Sequence, residues 1–145
     1  MAKFAQGKFT LKNPEKYSGN RTPTYRSSWE WAFMQFCDNH PSIVQWASEA
    51  IQIPYKNPLN GRASVYVPDF LVVYQGRNGK KIAELIEVKP RKETTLENAG
   101  RSKITQARAV LNMAKFEAAS RWCKQNSIRF RVVTEDDIFH GNKKR

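Results

Sequence analysis

Two consecutive runs of β-branched and aromatic residues dominate the hydrophobic pattern of the chain. They cover residues 65–74 and 81–90, and a polar segment with Asn78 and Gly79 at its centre separates them. Two such runs around an Asn-Gly pair predict a β-hairpin. Side chains alternate between the two faces of a strand, so the pairing register decides which residues of the two runs meet.

Both runs contain charged residues, which are costly in a buried strand unless they are paired or bound to a metal. Asp69 is the one acid of the first run, and Glu87 and Lys89 lie two positions apart at the end of the second. The spacing of Glu87 and Lys89 places both side chains on the same face of a strand. A buried ion pair between strands is one reading of these three residues, and a metal site is the other.

The length of the hairpin loop decides whether Asp69 faces Glu87. A two-residue loop would place Asp69 opposite Val88, whereas the three-residue loop 77–79 pairs it with Glu87. Three-residue loops put one residue in the left-handed region, which suits Gly79. We therefore expect the three-residue loop or another odd-length loop.

Helices and further strands are predicted on either side of this hairpin. Helical spacing of apolar residues starts near Ser27 and stops before Pro41, and a longer helix is expected from about 94 or 102 to 124. Its expected apolar stripe consists of Ile104, Ala107, Leu111, Ala114, Ala118 and Trp122. A strand or irregular strand pair at 43–55, a strand at 128–133 and a short terminal helix complete an α/β fold with a mixed central sheet flanked by helices.

Glu30 has two readings at the start of the first helix. Ser27 and Glu30 have the spacing of a capping box, in which the acid binds a backbone N–H at the helix start. The same carboxylate could serve a site at the sheet. One side chain would reach both ways only with difficulty.

The charge of the chain points to a polyanionic partner. The formal net charge is +12 over 145 residues, which fits nucleic acid, although a soluble basic protein would have the same balance. The length predicts a single folded domain, and no run resembles a signal peptide or a membrane span.

The two cysteines predict no disulfide framework. Cys37 and Cys123, with His40 and His140, could supply four zinc ligands. Structural zinc sites favour two tight pairs, however, and Cys123 and His140 lie 17 positions apart. We therefore favour two buried thiols in a reduced compartment.

The motif Pro68-Asp69 followed by Glu87-Val88-Lys89, after an acid-bearing helix, resembles the PD-(D/E)xK nuclease superfamily. The segments 28–30 (Ser-Trp-Glu), 68–70 (Pro-Asp-Phe) and 87–90 (Glu-Val-Lys-Pro) are similar to the TnsA-type transposon endonucleases. This resemblance implies a restriction-endonuclease-like fold. With the scattered basic residues at both ends, the expected organisation is a basic N-terminal arm at 1–26, a nuclease domain at 27–140 and a basic tail at 141–145.

A narrower resemblance covers nearly the whole chain. Segments 9–17, 25–30 and 53–61 resemble the head-completion proteins of T-even-like tailed phages. This implies a DNA endonuclease that processes or trims packaged DNA ends before tail joining. The implied locations are the host-cell cytoplasm and the head or neck of the virion, with double-stranded DNA as substrate and portal or neck proteins as further partners. Neither a membrane nor a small-molecule cofactor is expected.

The chemistry of phosphodiester hydrolysis assigns roles to the motif residues. Asp69 and Glu87 are expected to bind Mg²⁺, which Mn²⁺ could replace, with the Val88 carbonyl as third ligand. Lys89 would orient the attacking water or stabilise the developing charge, and Glu30 would bind a second metal or hold its water. Residues near the motif in sequence are the expected phosphate contacts: Arg26, Arg91, Lys92, Arg101 and Lys103, with Gln106 on the long helix.

Two other functions remain open at this point. A structural head-completion protein that binds DNA ends or the portal would keep the fold and cut little or not at all. A junction resolvase would have to be dimeric and prefer branched DNA.

Overall fold

The computed structural model describes residues 6–140, and side chains as far as residue 138. Its strands are β1 (Gly7–Lys8), β2 (Thr24–Tyr25), β3 (Ile43–Ser48), β4 (Ile53–Lys56), β5 (Ala63–Tyr66), β6 (Phe70–Gln75), β7 (Lys81–Val88) and β8 (Arg129–Val133). Its α-helices are α1 (Ser28–Asn39), α2 (Leu96–Ala99), α3 (Lys103–Gln125) and α4 (Glu135–His140). Short 3-10 turns lie at Pro14–Lys16 and Arg91–Glu93.

A four-stranded mixed sheet in the order β3-β6-β7-β8 forms the centre of the fold. β6 runs antiparallel to both β3 and β7, while β8 lies parallel to β7. The connection between the parallel strands β7 and β8 contains α3, as a parallel crossover requires. The predicted α/β fold with a mixed sheet is therefore confirmed.

The β6–β7 hairpin has the predicted register. Phe70 pairs with Ile86, and Gln75 pairs with Lys81. The loop has three residues, Gly79 adopts the left-handed φ of 78°, and the N–H of Gly76 donates to the carbonyl of Lys80 at 2.7 Å. The next step beyond Phe70 and Ile86 places Asp69 opposite Glu87.

The first hydrophobic run, expected as one strand, forms two. β5 pairs with β4 in a separate two-stranded ribbon, and β6 joins the central sheet. Pro68 lies between them and is buried. Because proline has no N–H to donate to a strand ladder, the chain passes from one sheet to the other at this position. Asp69 therefore lies in the connection between β5 and β6 and not inside a strand.

The two faces of the sheet carry different core clusters. Ile86 and Val88 pack with Phe33 of α1 on one face. Leu85 packs on the other face with Ala119 and Cys123 of α3. This alternation along β7 follows from strand geometry, and it places Glu87 on the α3 face.

The apolar stripe predicted for α3 is confirmed at Ala118 and Trp122, which pack against the core, but the most buried positions lie about one residue away from it. The buried positions are Ala109, Asn112, Ala119 and Cys123, whereas Ile104 is 68 % exposed. One residue corresponds to a rotation of about 100° around the helix. The small side chains of Ala109 and Ala119 let this face approach the rest of the domain closely, and the hydrophobic pattern alone did not favour them. The helix begins after Ser102, the later of the two predicted starts.

Residues 6–25, which belong to the predicted arm, lie against the face of the sheet that carries α1. Phe9 is buried and its ring meets that of Trp46 edge-on at 6.0 Å. The carboxylate of Asp38 accepts the backbone N–H of Lys12 at 2.8 Å and that of Asn13 at 3.2 Å. The division at residue 26 stays a prediction, and residues 1–5 and 141–145 lie outside the described part of the chain.

Cys37 and Cys123 are buried in α1 and α3, in different core clusters. Their prediction as buried thiols is confirmed. The side chain of His140, the fourth member of the alternative zinc set, lies outside the described residues. Across residues 6–140, no helix has both the length and the apolar character needed to cross a membrane.

Candidate active site

Asp69, Glu87 and Lys89 meet where β6 begins and β7 ends. The N–H of Asp69 donates to Glu87 Oε1 at 3.3 Å, and Asp69 Oδ2 accepts the N–H of Val88 at 2.8 Å. Lys89 Nζ lies 3.1 Å from Glu87 Oε2. The backbone of Lys89 is fixed because its N–H donates to the carbonyl of Val133 on β8 at 2.9 Å. The structure therefore brings together the three residues that the motif singled out.

Tyr66 completes the surroundings of Glu87, although no motif or periodicity in the chain points to it. Its hydroxyl donates to Glu87 Oε1 at 2.8 Å, and its ring is buried against α3. Because the chain changes sheets at Pro68, the end of β5 lies beside the end of β7. The periodicity of a single segment cannot show such a contact between two strands. The local signal for this change of direction is Pro68, which cannot donate to a strand ladder.

Burial is the main electrostatic feature of the site. It raises the pKa of Asp69 well above the usual range, and the nearby charges of Glu87 and Glu30 raise it further. Burial opposes the charged form of Lys89, but the nearby acids, Glu87 foremost with Asp69 and Glu93, together outweigh it and raise the pKa of the amine. The N–H of Val88 and the charge of Lys89 lower the pKa of Asp69, but they do not offset its burial and the neighbouring acids.

Glu30 reaches the site from the start of α1. Ser27 Oγ accepts the N–H of Glu30 at 3.1 Å, so the predicted cap is present. Glu30 Oε1 accepts the N–H of Arg26 at 3.1 Å rather than that of Ser27. Burial raises the pKa of Glu30, and the charge of Glu87 adds to this, which places the two carboxylates within electrostatic range.

Arg26 lies at the edge of the site beside these acids. Its guanidinium forms an ion pair with Glu49, whose N–H in turn donates to the carbonyl of Asp69 at 2.9 Å. Glu49 holds the left-handed φ of 53° in the connection that follows β3. The pKa of Arg26 is raised chiefly by its bond to Glu49, with smaller contributions from Glu30 and Asp69.

Lys115 of α3 supplies a second cation near the acids. Its Nζ lies 5.6 Å from the centre of the Tyr66 ring. Burial lowers the pKa of its amine, and the charge of Lys89 lowers it further. The sequence placed Lys115 among many charges off the expected stripe and offered nothing to distinguish it.

The other predicted phosphate contacts lie farther along the chain. Arg91, beyond the end of β7, contacts α4, where Asp136 Oδ2 lies 3.1 Å from its guanidinium. Lys92, Arg101 and Lys103 are exposed. The amide of Gln106 donates to the carbonyl of Gly100 at 2.8 Å, and nine residues of helix, about 13 Å, separate it from Lys115.

The donor set of the site consists of oxygens. Within residues 6–138, no three His, Cys, Asp or Glu side chains are grouped as a metal-ligand set. Glu87 Oε1 accepts the backbone N–H of Asp69, and the Asp69 carboxylate accepts the N–H of Val88, the residue that follows Glu87, so both acids lie at the same strand ends.

Known proteins similar to this chain are nucleases. The family described as TnsA-like endonuclease N terminal matches residues 40–135, which include the whole central sheet and α3. The mixed sheet with its acid pair and lysine at the strand ends defines a restriction-endonuclease-like nuclease. The chain belongs to the TnsA-like endonuclease family.

A relative extends the similarity beyond that domain. The chain is 32 % identical over 142 residues to the head completion nuclease of Enterobacteria phage T4, which covers 91 % of this chain and 92 % of that protein. The prediction of a TnsA-like nuclease is confirmed. Nucleases of this superfamily generally use divalent metal ions.

Proposed function

We propose that the protein is a divalent-metal-dependent DNA endonuclease that acts in phage head completion, where it processes or trims packaged DNA ends before tail joining. The observation that carries the chemistry is the convergence of three side chains at the ends of two paired strands: Asp69 Oδ2 accepts the N–H of Val88 at 2.8 Å, and Lys89 Nζ lies 3.1 Å from the neighbouring Glu87 carboxylate. The biological role is supported by the similarity to the head completion nuclease of phage T4. Double-stranded DNA is the proposed substrate, and portal or neck proteins are proposed partners in the host-cell cytoplasm and the virion.

The carboxylates of Asp69 and Glu87 and the carbonyl of Val88 would hold the metal. An all-oxygen donor set suits Mg²⁺, and Mn²⁺ would replace it in vitro. The N–H of Val88 points to Asp69, and in a strand the N–H and C=O of one residue point to the same side, so the Val88 carbonyl also faces Asp69. Once bound, the ion would neutralise charge on the phosphate and lower the pKa of water.

The protein side chains orient the reactants around that position. Lys89, held 3.1 Å from Glu87, directs its ammonium toward the reacting phosphate and stabilises charge that develops there. Tyr66 fixes the rotamer of Glu87 through its hydroxyl. Glu30 approaches from α1 and would bind a second ion or orient the attacking water.

Basic side chains around the acids would hold the DNA backbone. Arg26 pairs with Glu49 beside the site, and the Lys115 amine lies 5.6 Å from the centre of the Tyr66 ring. The proposal extends to residues that follow β7 or begin α3: Arg91, Lys92, Arg101, Lys103 and Gln106. Contacts of this kind give affinity that falls with salt and carries no sequence preference.

Cleavage of linear and supercoiled DNA with Mg²⁺ tests the proposal, with EDTA as the metal control. Asp69→Ala should abolish cleavage and retain DNA binding, whereas Glu97→Ala, on the exposed side of α2, should leave both unchanged. Cleavage that survives Asp69→Ala refutes the site. Wild-type protein that binds DNA without cutting it is the result that supports the structural head-completion role.

A further inference from the structure

The β4–β5 ribbon projects from the α3 layer and has two different faces. Ile53 and Tyr66 pair across the ribbon and are buried in the core against α3. The next pair, Pro54 and Val65, points outward, and Val65 is 56 % exposed. The outer face therefore exposes apolar surface that the described part of the chain does not cover.

The ribbon carries positive charge and no negative charge. Residues 53–67 contain Lys56 and Arg62 and no acid. Both side chains are exposed, and both flank the loop, because Lys56 pairs with Ala63, the neighbour of Arg62. A basic tip of this kind is complementary to a polyanion and not to an apolar protein surface with few acidic residues.

Internal hydrogen bonds preorganise the loop at the tip. Asn57 Oδ1 accepts the N–H of Leu59 at 2.8 Å, and Asn60 Oδ1 accepts that of Arg62 at 2.9 Å. Gly61 takes the left-handed φ of 71° and donates its N–H to the carbonyl of Asn57 at 2.8 Å. A loop fixed in this way loses little conformational freedom when it binds.

One residue of the ribbon, Tyr66, contacts the active site directly. Tyr66 ends β5 and contacts Glu87, and Arg62 lies four residues earlier in the same hairpin. Four residues of strand span about 13 Å, which corresponds to roughly four base-pair rises of a duplex. The tip of the ribbon is therefore within reach of a duplex whose reacting phosphate lies at Asp69.

We propose that the outer side of the β4–β5 ribbon is a docking surface for duplex DNA beside the cut. Lys56 and Arg62 bind phosphates there, and the exposed side chains of Leu59 and Val65 lie against the sugar edge of a groove. This inference rests on the proposed DNA nuclease function. It adds a contact surface distinct from the basic residues around the acids.

The other hairpin of the fold provides a matched control. The variant K56A/R62A removes two cations from the ribbon, and R77A/K80A removes two exposed cations from the β6–β7 loop, at the far end of β6 from Asp69. Both variants have the same net charge, and thermal melting verifies that both fold. Affinity for a short duplex is measured by fluorescence anisotropy in EDTA over a range of salt concentrations, so that no cleavage occurs.

In K56A/R62A, the negative slope of log affinity against log salt should become shallower by about two, at roughly 0.9 per phosphate contact. Binding at 0.1 M salt should weaken about tenfold or more. R77A/K80A should keep the wild-type slope. If the two variants lose DNA affinity equally, only the net charge matters. If K56A/R62A has the wild-type slope, the ribbon does not bind DNA and would instead bind a protein partner. Either result overturns the inference. Because binding is measured without metal, it is independent of the cleavage test, whose failure would count against the nuclease function instead.

Discussion

The hydroxyl of Tyr66 donates to Glu87 Oε1 at 2.8 Å, and this bond joins the β4–β5 ribbon to the end of the central sheet. Glu87 is thereby held from two directions, since Lys89 binds its other oxygen at 3.1 Å. The position of the carboxylate is thus fixed by residues from two sheets. A fixed ligand loses little freedom when it binds a cation, which is how a preorganised site gains affinity.

Tyr66→Phe should therefore weaken the active site more than the fold. Hydrogen bonds to charged groups contribute about 1.5–3 kcal/mol, so cleavage should fall about tenfold or more. The Mg²⁺ concentration for half-maximal cleavage should rise as well. Tyr55→Phe, which removes a hydroxyl from the neighbouring strand of the same ribbon, is the control and should match wild type in both measurements. Equal effects of the two substitutions would contradict a specific role for the Tyr66 hydroxyl.

Asp69→Asn should stabilise the metal-free protein at neutral pH. Burial and the charges of Glu87 and Glu30 raise the pKa of Asp69 in the folded state. The stability linked to such a group is present below its unfolded pKa and is lost as pH rises through the folded pKa. The amide cannot ionise and still accepts the N–H of Val88.

In EDTA at pH 7.5, the variant should gain the roughly 0.5–2 kcal/mol typical of stabilising substitutions, which is about 2–8 °C in melting temperature. This gain should shrink as the pH approaches 4.5. The exposed Glu97→Gln should show no comparable gain. A melting temperature of Asp69→Asn at or below that of wild type at pH 7.5 would contradict the electrostatic description of the site.

Substitutions at Ser27 and Glu30 distinguish a role in helix capping from a role in catalysis. Ser27→Ala removes the oxygen that accepts the Glu30 N–H, so unfolding should become easier by about 1 kcal/mol while cleavage is retained. Glu30→Gln keeps an acceptor for the N–H of Arg26 but loses the charge, so cleavage should fall at least about tenfold with little change in stability. Full activity in Glu30→Gln would limit Glu30 to its backbone contact.

The pattern of the chain was sufficient to place the acid pair. Gly79 and the length of the loop 77–79 set the register of the hairpin, and the register sets which residues oppose each other. Both are local features, so the sequence could show them directly. The contact of Asp69 with Glu87 follows from that register, and the contact of Glu87 with Lys89 follows from their spacing of two along the chain.

The rest of the site depends on packing between distant segments. Tyr66 reaches Glu87 because Pro68 redirects the chain into a second sheet, and Lys115 reaches Tyr66 because α3 is rotated from its most hydrophobic stripe. In this orientation α3 buries small residues such as Ala119. They stabilise the fold because they let the helix pack closely against the sheet, and not because they bury a large apolar area. Patterns of hydrophobicity measure area and therefore miss such contacts.

Lys115 should contribute to cleavage through its charge. Lys115→Ala should slow cleavage roughly 100-fold, at the lower end of what a donor aimed at developing charge contributes. Lys124→Ala, on the exposed end of the same helix, should not. Equal rates for these two variants would exclude Lys115 from the reaction.

The pH dependence of cleavage gives a second test of Lys115. Burial and the charge of Lys89 lower the pKa of its amine, so its positive charge is lost at a lower pH than in an ordinary lysine. The wild-type rate should therefore decline on the alkaline side below the pKa of a free lysine. Lys115→Arg, which stays protonated, should shift that decline to higher pH. An identical pH profile in this variant would contradict the assignment.

The central claim is that one divalent ion binds between β6 and β7. Anomalous diffraction from crystals soaked in Mn²⁺ tests it most directly. The account predicts a peak about 2.1–2.2 Å from the carboxylates of Asp69 and Glu87 and from the carbonyl of Val88, and no such peak in Asp69→Asn crystals. Mn²⁺ bound elsewhere, with these oxygens left without an ion under conditions that support cleavage, would contradict it.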